Sequence, residues 1–202
     1  MENGSGCFGR KHTDRYMRHT AFLLIALLVS AQWTTSSARR WSIGTNLLDY
    51  ADFLTVNAEA GMSVDRHWSV GMKARYNPFH FCRSSGDRIQ NKTLTISAGA
   101  RYWPFFTYSG FFYGAKIQWD RYNTGGILSP STIEGDAWGA GLHFGYALML
   151  GRHINIEFGL GLWTGWASYR EYSSPVCGKR TGCGSGMFIA PDDIAINIIY
   201  IF

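Results

Sequence analysis

The stretch WSVGMKARYNPF, Trp68–Phe79, alternates along its length. Trp68, Val70, Met72, Ala74 and Tyr76 share one face, and Ser69, Gly71, Lys73, Arg75 and Asn77 share the other. Successive side chains of a strand point to opposite sides, so period two marks an extended segment with two unlike faces. The polar face decides the fold. Lysine, arginine and glycine side by side suit a crowded interior better than a washed surface, and the apolar face is fit to meet hydrocarbon.

The same pattern recurs outward from this stretch. Val56 to Val64, Leu94 to Tyr102, Phe111 to Trp119, Trp138 to Leu150 and Ile154 to Trp166 all alternate. Trp41 to Leu48 and Ile194 to Phe202 complete a set of eight expected strands. The polar faces carry Glu59, Lys73, Arg75, Arg101, Lys116, His143 and Glu157 among many glycines. Aromatics gather near strand ends, with Trp41, Trp68, Tyr102, Tyr113, Tyr200 and Phe202 toward one side and Tyr76, Trp119, Trp138 and Trp166 toward the other. A soluble antiparallel sandwich also alternates. Charged polar faces and two aromatic belts favour a membrane barrel instead.

Connection lengths point the same way. Asp65-Arg66-His67, the stretch around Thr107 to Gly110, and Gly151-Arg152-His153 read as tight turns. Asp49 to Thr55, His80 to Thr93, Asn123 to Gly135 and Tyr172 to Asp193 read as longer loops. Short turns on one side and long loops on the other predict an all-β, eight-stranded antiparallel transmembrane β-barrel, with short periplasmic turns and long extracellular loops.

The amino-terminal region agrees with that location. Arg10, Lys11, Arg15 and Arg18 precede the apolar run Ala21 to Ala31, which ends in Val29-Ser30-Ala31. A basic region, a short apolar run and a small-residue exit form a secretory signal peptide. A spanning helix needs about 20 apolar residues, more than this run holds. Residues 1–31 are expected to be removed, with residue 38 as the alternative end, leaving 32–202 as one barrel domain in the outer membrane of a diderm bacterium. The formal charge of +5 falls to +3 without the four basic and two acidic residues of that peptide, too little and too scattered for nucleic acid. At the other end, Tyr200 and the terminal Phe202 resemble the signal read by the barrel-assembly machinery.

Several short motifs resemble a known family in their order. They are Thr45-Asn46-Leu47-Leu48, Trp68-Ser69, Tyr76-Asn77-Pro78-Phe79, the Ile156 to Gly161 region, Tyr172 ahead of Cys177 and Cys183, and Ala190-Pro191. The family is that of small Bacteroides-type outer-membrane barrels classed as domain of unknown function 3575. The resemblance implies location and architecture but no activity. It also implies neighbours of the fimbria type, and so a role in surface assembly.

A search for chemistry yields little. No metal-ligand spacing, cofactor motif or catalytic set stands out. His143 is the one remaining histidine expected inside, and a lipid A modifying enzyme would use it with Asp120 or Glu157. A narrow channel is a further alternative. The leading expectation is a structural or surface-binding barrel without catalysis, whose partners are outer-membrane lipid, the assembly machinery and a surface or fimbrial protein. Cys177 and Cys183 are expected to form a bridge in an oxidising compartment, with Cys82 as the alternative partner of either. A three-residue turn at Asp65-Arg66-His67 sets Glu59 opposite Lys73 and Asn57 opposite Arg75. An interior ion pair between Glu59 and Lys73 is therefore expected, within a bore filled by side chains.

Overall fold

The computed structural model describes residues 40–52, 54–82, 88–125, 131–173 and 178–202. The signal peptide expected at 1–31, or to 38, lies outside the described residues. The strands are β1 (Trp41–Asn46), β2 (Val56–Ser63), β3 (Trp68–Asn77), β4 (His80–Cys82), β5 (Arg88–Tyr102), β6 (Gly110–Gly125), β7 (Thr132–Met149), β8 (Ile154–Tyr172) and β9 (Arg180–Ile201). Short β4 takes over from β3 beside β5, beyond Asn77-Pro78-Phe79. The rest form a closed ring of eight antiparallel positions, with β9 paired to β1.

The expected register of the first hairpin is found: Glu59 pairs with Lys73, Asn57 with Arg75, and Ser63 with Ser69. Hydrogen-bond partners can be followed round the ring from Gly44 through Glu59, Lys73, Ser97, Gln118, Gly139 and Gly165 to Phe188. Gly44 itself pairs with Ile199, eleven residues further on (199 − 188). One residue of that offset belongs to a bulge, where pairing jumps from Gly159↔Ala195 to Gly161↔Asp192. A stagger of ten over eight strands inclines them by roughly 40° to the ring axis.

Wall height climbs along the chain. β1 has 6 residues and β2 has 8, whereas β8 has 19 and β9 has 22. Two expectations are corrected here. The first strand ends at Asn46 instead of Leu48, and the helix α1 (Leu47–Ala51) follows. Asn46 is its N-cap, accepting from the Leu48 N–H, while its amide donates to Asp49 at 2.8 Å. The cap satisfies a free N–H of the first turn, while the Asn46 backbone N–H donates to Asn57 Oδ1 at 2.6 Å. Of the four stretches expected as long loops, Asp49 to Thr55 begins in α1, and the described residues of the other three are mostly strand, because β5 to β9 run far past the alternating apolar segments.

Polarity is inverted relative to a water-soluble domain. Large apolar side chains lie exposed on the outside, among them Ile117, Trp138, Leu142, Phe144, Leu162 and Phe202. The buried set is mainly polar and includes Asn46, Asn77, Lys116, Asn155, Glu157 and Asp192. An apolar cluster closes the turn end from within: Trp103, Tyr108, Phe112, Ala147, Ile199 and Ile201. Trp103 donates its indole N–H to Ser69 at 2.9 Å, and the Asn155 amide donates to the Tyr108 carbonyl at 2.6 Å. Tyr108 turns inward through a left-handed φ of 67°, and burial pushes its phenol pKa up.

The turns themselves are tied by histidines. His67 donates through Nδ1 to the Trp103 carbonyl at 2.8 Å and accepts the Trp103 N–H at its own carbonyl, also at 2.8 Å. His153 does the same with Ile201, at 2.8 and 2.7 Å.

Candidate functional site

The interior is built in layers, each from side chains of several strands. Just above the aromatic floor, Arg101 of β5 reaches Glu59 of β2 at 2.5 Å and Glu157 of β8 at 3.2 Å. Its Nε also donates to His143 Nε2 at 3.2 Å. That bond makes Nε2 an acceptor, so the proton of a neutral His143 ring sits on the buried Nδ1.

A second layer lies toward the open end. Lys116 of β6 bonds both Asp192 and Asp193 of β9. Lys73 lies 3.3 Å from Asp193, and Arg75 lies 3.1 Å from Asp192. Asp49 of α1 stands 3.9 Å from both Lys73 and Arg75. Adjacent residues of a regular strand cannot both point inward. The bulge opposite Gly159 and Gly161, with Asp193 at a left-handed φ of 51°, turns both aspartates into the bore. A cavity of ≈ 40 Å³ separates the layers, lined by Glu59, Lys73, Arg101, Lys116, His143 and Asp193 among others. That is room for ordered water.

All seven residues expected inside, Glu59, Lys73, Arg75, Arg101, Lys116, His143 and Glu157, belong to these two layers. The pairing expected between Glu59 and Lys73 is corrected. Although opposite in register, they turn to Arg101, two positions round the ring from Glu59, and to Asp193, three positions round from Lys73. Asp49, Asp192 and Asp193 were not anticipated. Asp120 accepts from the Thr95 hydroxyl at 2.7 Å. Among the described residues, no hydrogen bond joins His143 to Asp120 or Glu157, and Arg101 bonds both His143 and Glu157.

The remaining candidates are peripheral. Tyr200 stacks on His153 with centroids 5.7 Å apart and meets Phe202 edge-on at 5.0 Å. Phe202 donates its N–H to the Trp41 carbonyl at 2.9 Å, so the last residue continues the β9–β1 seam. Cys183 lies exposed on β9 opposite Arg170, and Cys82 ends β4. Cys177 lies outside the described residues, and with it the expected bridge.

The second feature of the site is an edge. Only Asn197 to Ile201 of β9 pair with β1. Asn46 continues that seam by one rung, its side chain accepting the Ile196 N–H at 3.1 Å and donating to the Ile194 carbonyl at 3.5 Å. Beyond it, β9 has β8 on one side and no strand on the other among the described residues.

The chain belongs to the family described as protein of unknown function (DUF3575), whose model matches residues 21–202. No curated protein and no solved structure matches it.

Proposed function

We propose that the ring is a transmembrane barrel of the outer membrane of a diderm bacterium, serving as a structural and surface-binding scaffold without catalysis. The inverted polarity carries this reading. Leu142, Ile117 and Trp138 are each more than 60% exposed on the outside, while Glu157 is 0% and Asp192 7% exposed within. In water that arrangement leaves apolar surface wet and charges dry, whereas in lipid both are placed well. At the turn end the β9–β1 pairing closes the ring and leaves no free strand edge there.

The short turns then face the periplasm and the tall strands face outward. About 9–11 residues carry a tilted strand across a membrane. β8 and β9 are about twice that length, and their upper halves would stand in the extracellular space. That projection supports a binding role, and a surface or fimbrial protein is the partner class to test first. The aromatic floor and two ion-paired layers support a bore that does not conduct.

Refolding from denaturant into lipid vesicles tests the reading. Heat-modifiable gel mobility, quenching of Trp138 by brominated acyl chains and a silent bilayer recording are expected. A tag inserted between Gly125 and Thr132 should be reached by antibody on intact cells. A chain that folds as a monomer in buffer without amphiphile overturns the membrane assignment.

A further inference from the structure

Above the upper ion layer, the inner face of the tall wall is built in rungs that the register defines. Gln118, Gly139, Gly165 and Phe188 form one rung across β6, β7, β8 and β9. Asp120, Ala137, Ala167 and Gly186 form the next, and Tyr122, Gly135, Tyr169 and Gly184 the one above it. On the two lower rungs β7 and β8 therefore offer only glycine and alanine. Glycine in a strand lets a ligand approach the backbone closely.

This bed has an aromatic frame. At its lower border Trp163 meets Phe188 edge-on, with ring centroids 4.5 Å apart. At its upper border the two tyrosines lie along the wall, Tyr122 over Gly135 and Tyr169 over Gly184. A Cβ built on either glycine would come within 2.7 Å of the phenol oxygen. Between the Tyr169 and Phe188 rings, a Cβ on Gly186 would meet no described atom within 4 Å. The β6 margin is polar. Gln118 is 5% exposed, and its Oε1 accepts no hydrogen bond among the described residues. A buried acceptor without a donor marks a place where something else donates. One oxygen of Asp120 accepts from Thr95, and the other has no hydrogen-bond partner among the described residues.

We propose that this bed binds a neutral oligosaccharide of at least two pyranose rings. A pyranose has a C–H face and a rim of hydroxyls that both donate and accept. One ring fits over Gly186, its face against the Tyr169 or Phe188 ring, where the π cloud is negative and C–H bonds are weakly positive. From Gly186 to Gln118 is three strand spacings, about 14 Å along the wall, so a second ring is needed to bring hydroxyls to Gln118 Oε1 and Asp120. A flat aromatic ligand would leave both acceptors bare, and an acidic sugar would set its charge beside Asp120. That the bed faces the cell exterior rests on the outer-membrane reading above, whereas the bed itself does not.

The test uses the full chain folded in micelles of a zwitterionic, sugar-free detergent. Maltose, cellobiose, lactose and chitobiose are the probes, with the methyl glycosides of their single rings beside them. Saturation-transfer NMR should show at least one disaccharide bound roughly ten-fold or more tighter than its single ring. Gly186→Val is the decisive variant. Its side chain enters open space, so heat-modifiable mobility should stay unchanged while binding falls roughly ten-fold or more. Gln118→Met removes an acceptor that has no donor, so the fold should hold or gain while binding weakens about five-fold. Met187→Ser, next to Gly186 on the outer face, should leave binding unchanged. Binding of a trisaccharide that extends the best probe would name a glycan chain as the source, and its exclusion a free disaccharide. No transfer to any probe, transfer that survives Gly186→Val, or equal affinity for one ring and two overturns the proposal. A chain that folds without amphiphile overturns the membrane reading alone, since the same titration then runs in buffer.

Discussion

The β1–β2 hairpin and the β7–β8 hairpin belong to one ring yet are held by different means. β7 and β8 pair over eighteen consecutive positions, Thr132↔Tyr172 to Met149↔Asn155. β1 and β2 pair over four. Where the ladder is short, side chains span the bore instead. Glu59 of β2 reaches Arg101, and Lys73 and Arg75 of neighbouring β3 reach Asp193 and Asp192, more than a hundred residues away in sequence. The low wall depends on ion pairs for its place, and the tall wall depends on its backbone. Stability should therefore be concentrated at a few interior charges.

The largest effect is expected at Lys116, whose ammonium serves both Asp192 and Asp193. Lys116→Met leaves Asp192 with Arg75 and Asp193 with Lys73, and breaking a buried pair by removing one partner costs about 3–5 kcal/mol. Urea unfolding in micelles, followed by tryptophan fluorescence, should show that loss. Adding Asp192→Asn should recover a good part of it. A milder Lys116→Met variant would mean that water reaches the upper layer and that the bore is open.

Next come the pairings of Glu59, which separate register from contact. Glu59 faces Lys73 across the ladder but bonds Arg101 across the bore. A double-mutant cycle on Glu59→Gln and Arg101→Met should give a coupling of about 1–3 kcal/mol. The cycle on Glu59→Gln and Lys73→Met should give a clearly smaller coupling, since these two share a rung and a cavity but no bond. Reversed couplings would restore the pairing that the register alone suggests.

That reversal marks the limit of what could be read from sequence. Eight strands, the Glu59–Lys73 register and the inward direction of all seven named side chains follow from period-two patterning, because a pleated strand has no other freedom. Which inward charges touch depends on shear and bore width, and neither is written in any local stretch. The aspartate pair escaped for a related reason, since strict alternation admits only one of two neighbours and Asp192-Asp193 needs a bulge to turn both inward. Pro191 just before it was the available signal. The height of β9 was hidden by composition: Gly182, Gly184 and Gly186 read as loop, although glycine at every second position is itself period two. In Asn46-Leu47-Leu48-Asp49, two leucines continue an apolar strand, and the capping pair that starts α1 is the competing signal.

Asn46 should come third. Asn46→Ala removes the helix cap, the amide bond to Asp49 and the rung to Ile196. Loss of such a cap costs about 1–2 kcal/mol. The more telling readout is local. Hydrogen exchange should quicken in α1 and at Ile196 while β7 and β8 stay protected, since their ladder does not involve Asn46. Uniform acceleration through the ring would mean that the low wall is no weaker than the tall one.

The smallest effect is expected on the strand that also holds the largest. Arg121 lies five residues beyond Lys116 on β6 and donates to Asp136, its register partner on β7, at 2.8 Å. Its guanidinium also sits 5.2 Å from the Trp119 ring centre. By geometry alone this pair looks as good as any in the bore. It differs in surroundings, with side chains 62% and 47% exposed against 6% and 5% for Lys116 and Asp192. Exposed pairs exchange water for each other at little net gain, and salt screens what remains. The Arg121–Asp136 rung is moreover one of sixteen in an intact β6–β7 ladder. Arg121→Ala should leave the urea midpoint unmoved within scatter, at low salt and at high salt alike. A clear fall in midpoint would show that this part of the tall wall is covered, and would break the division between a wall held by charges and a wall held by its backbone.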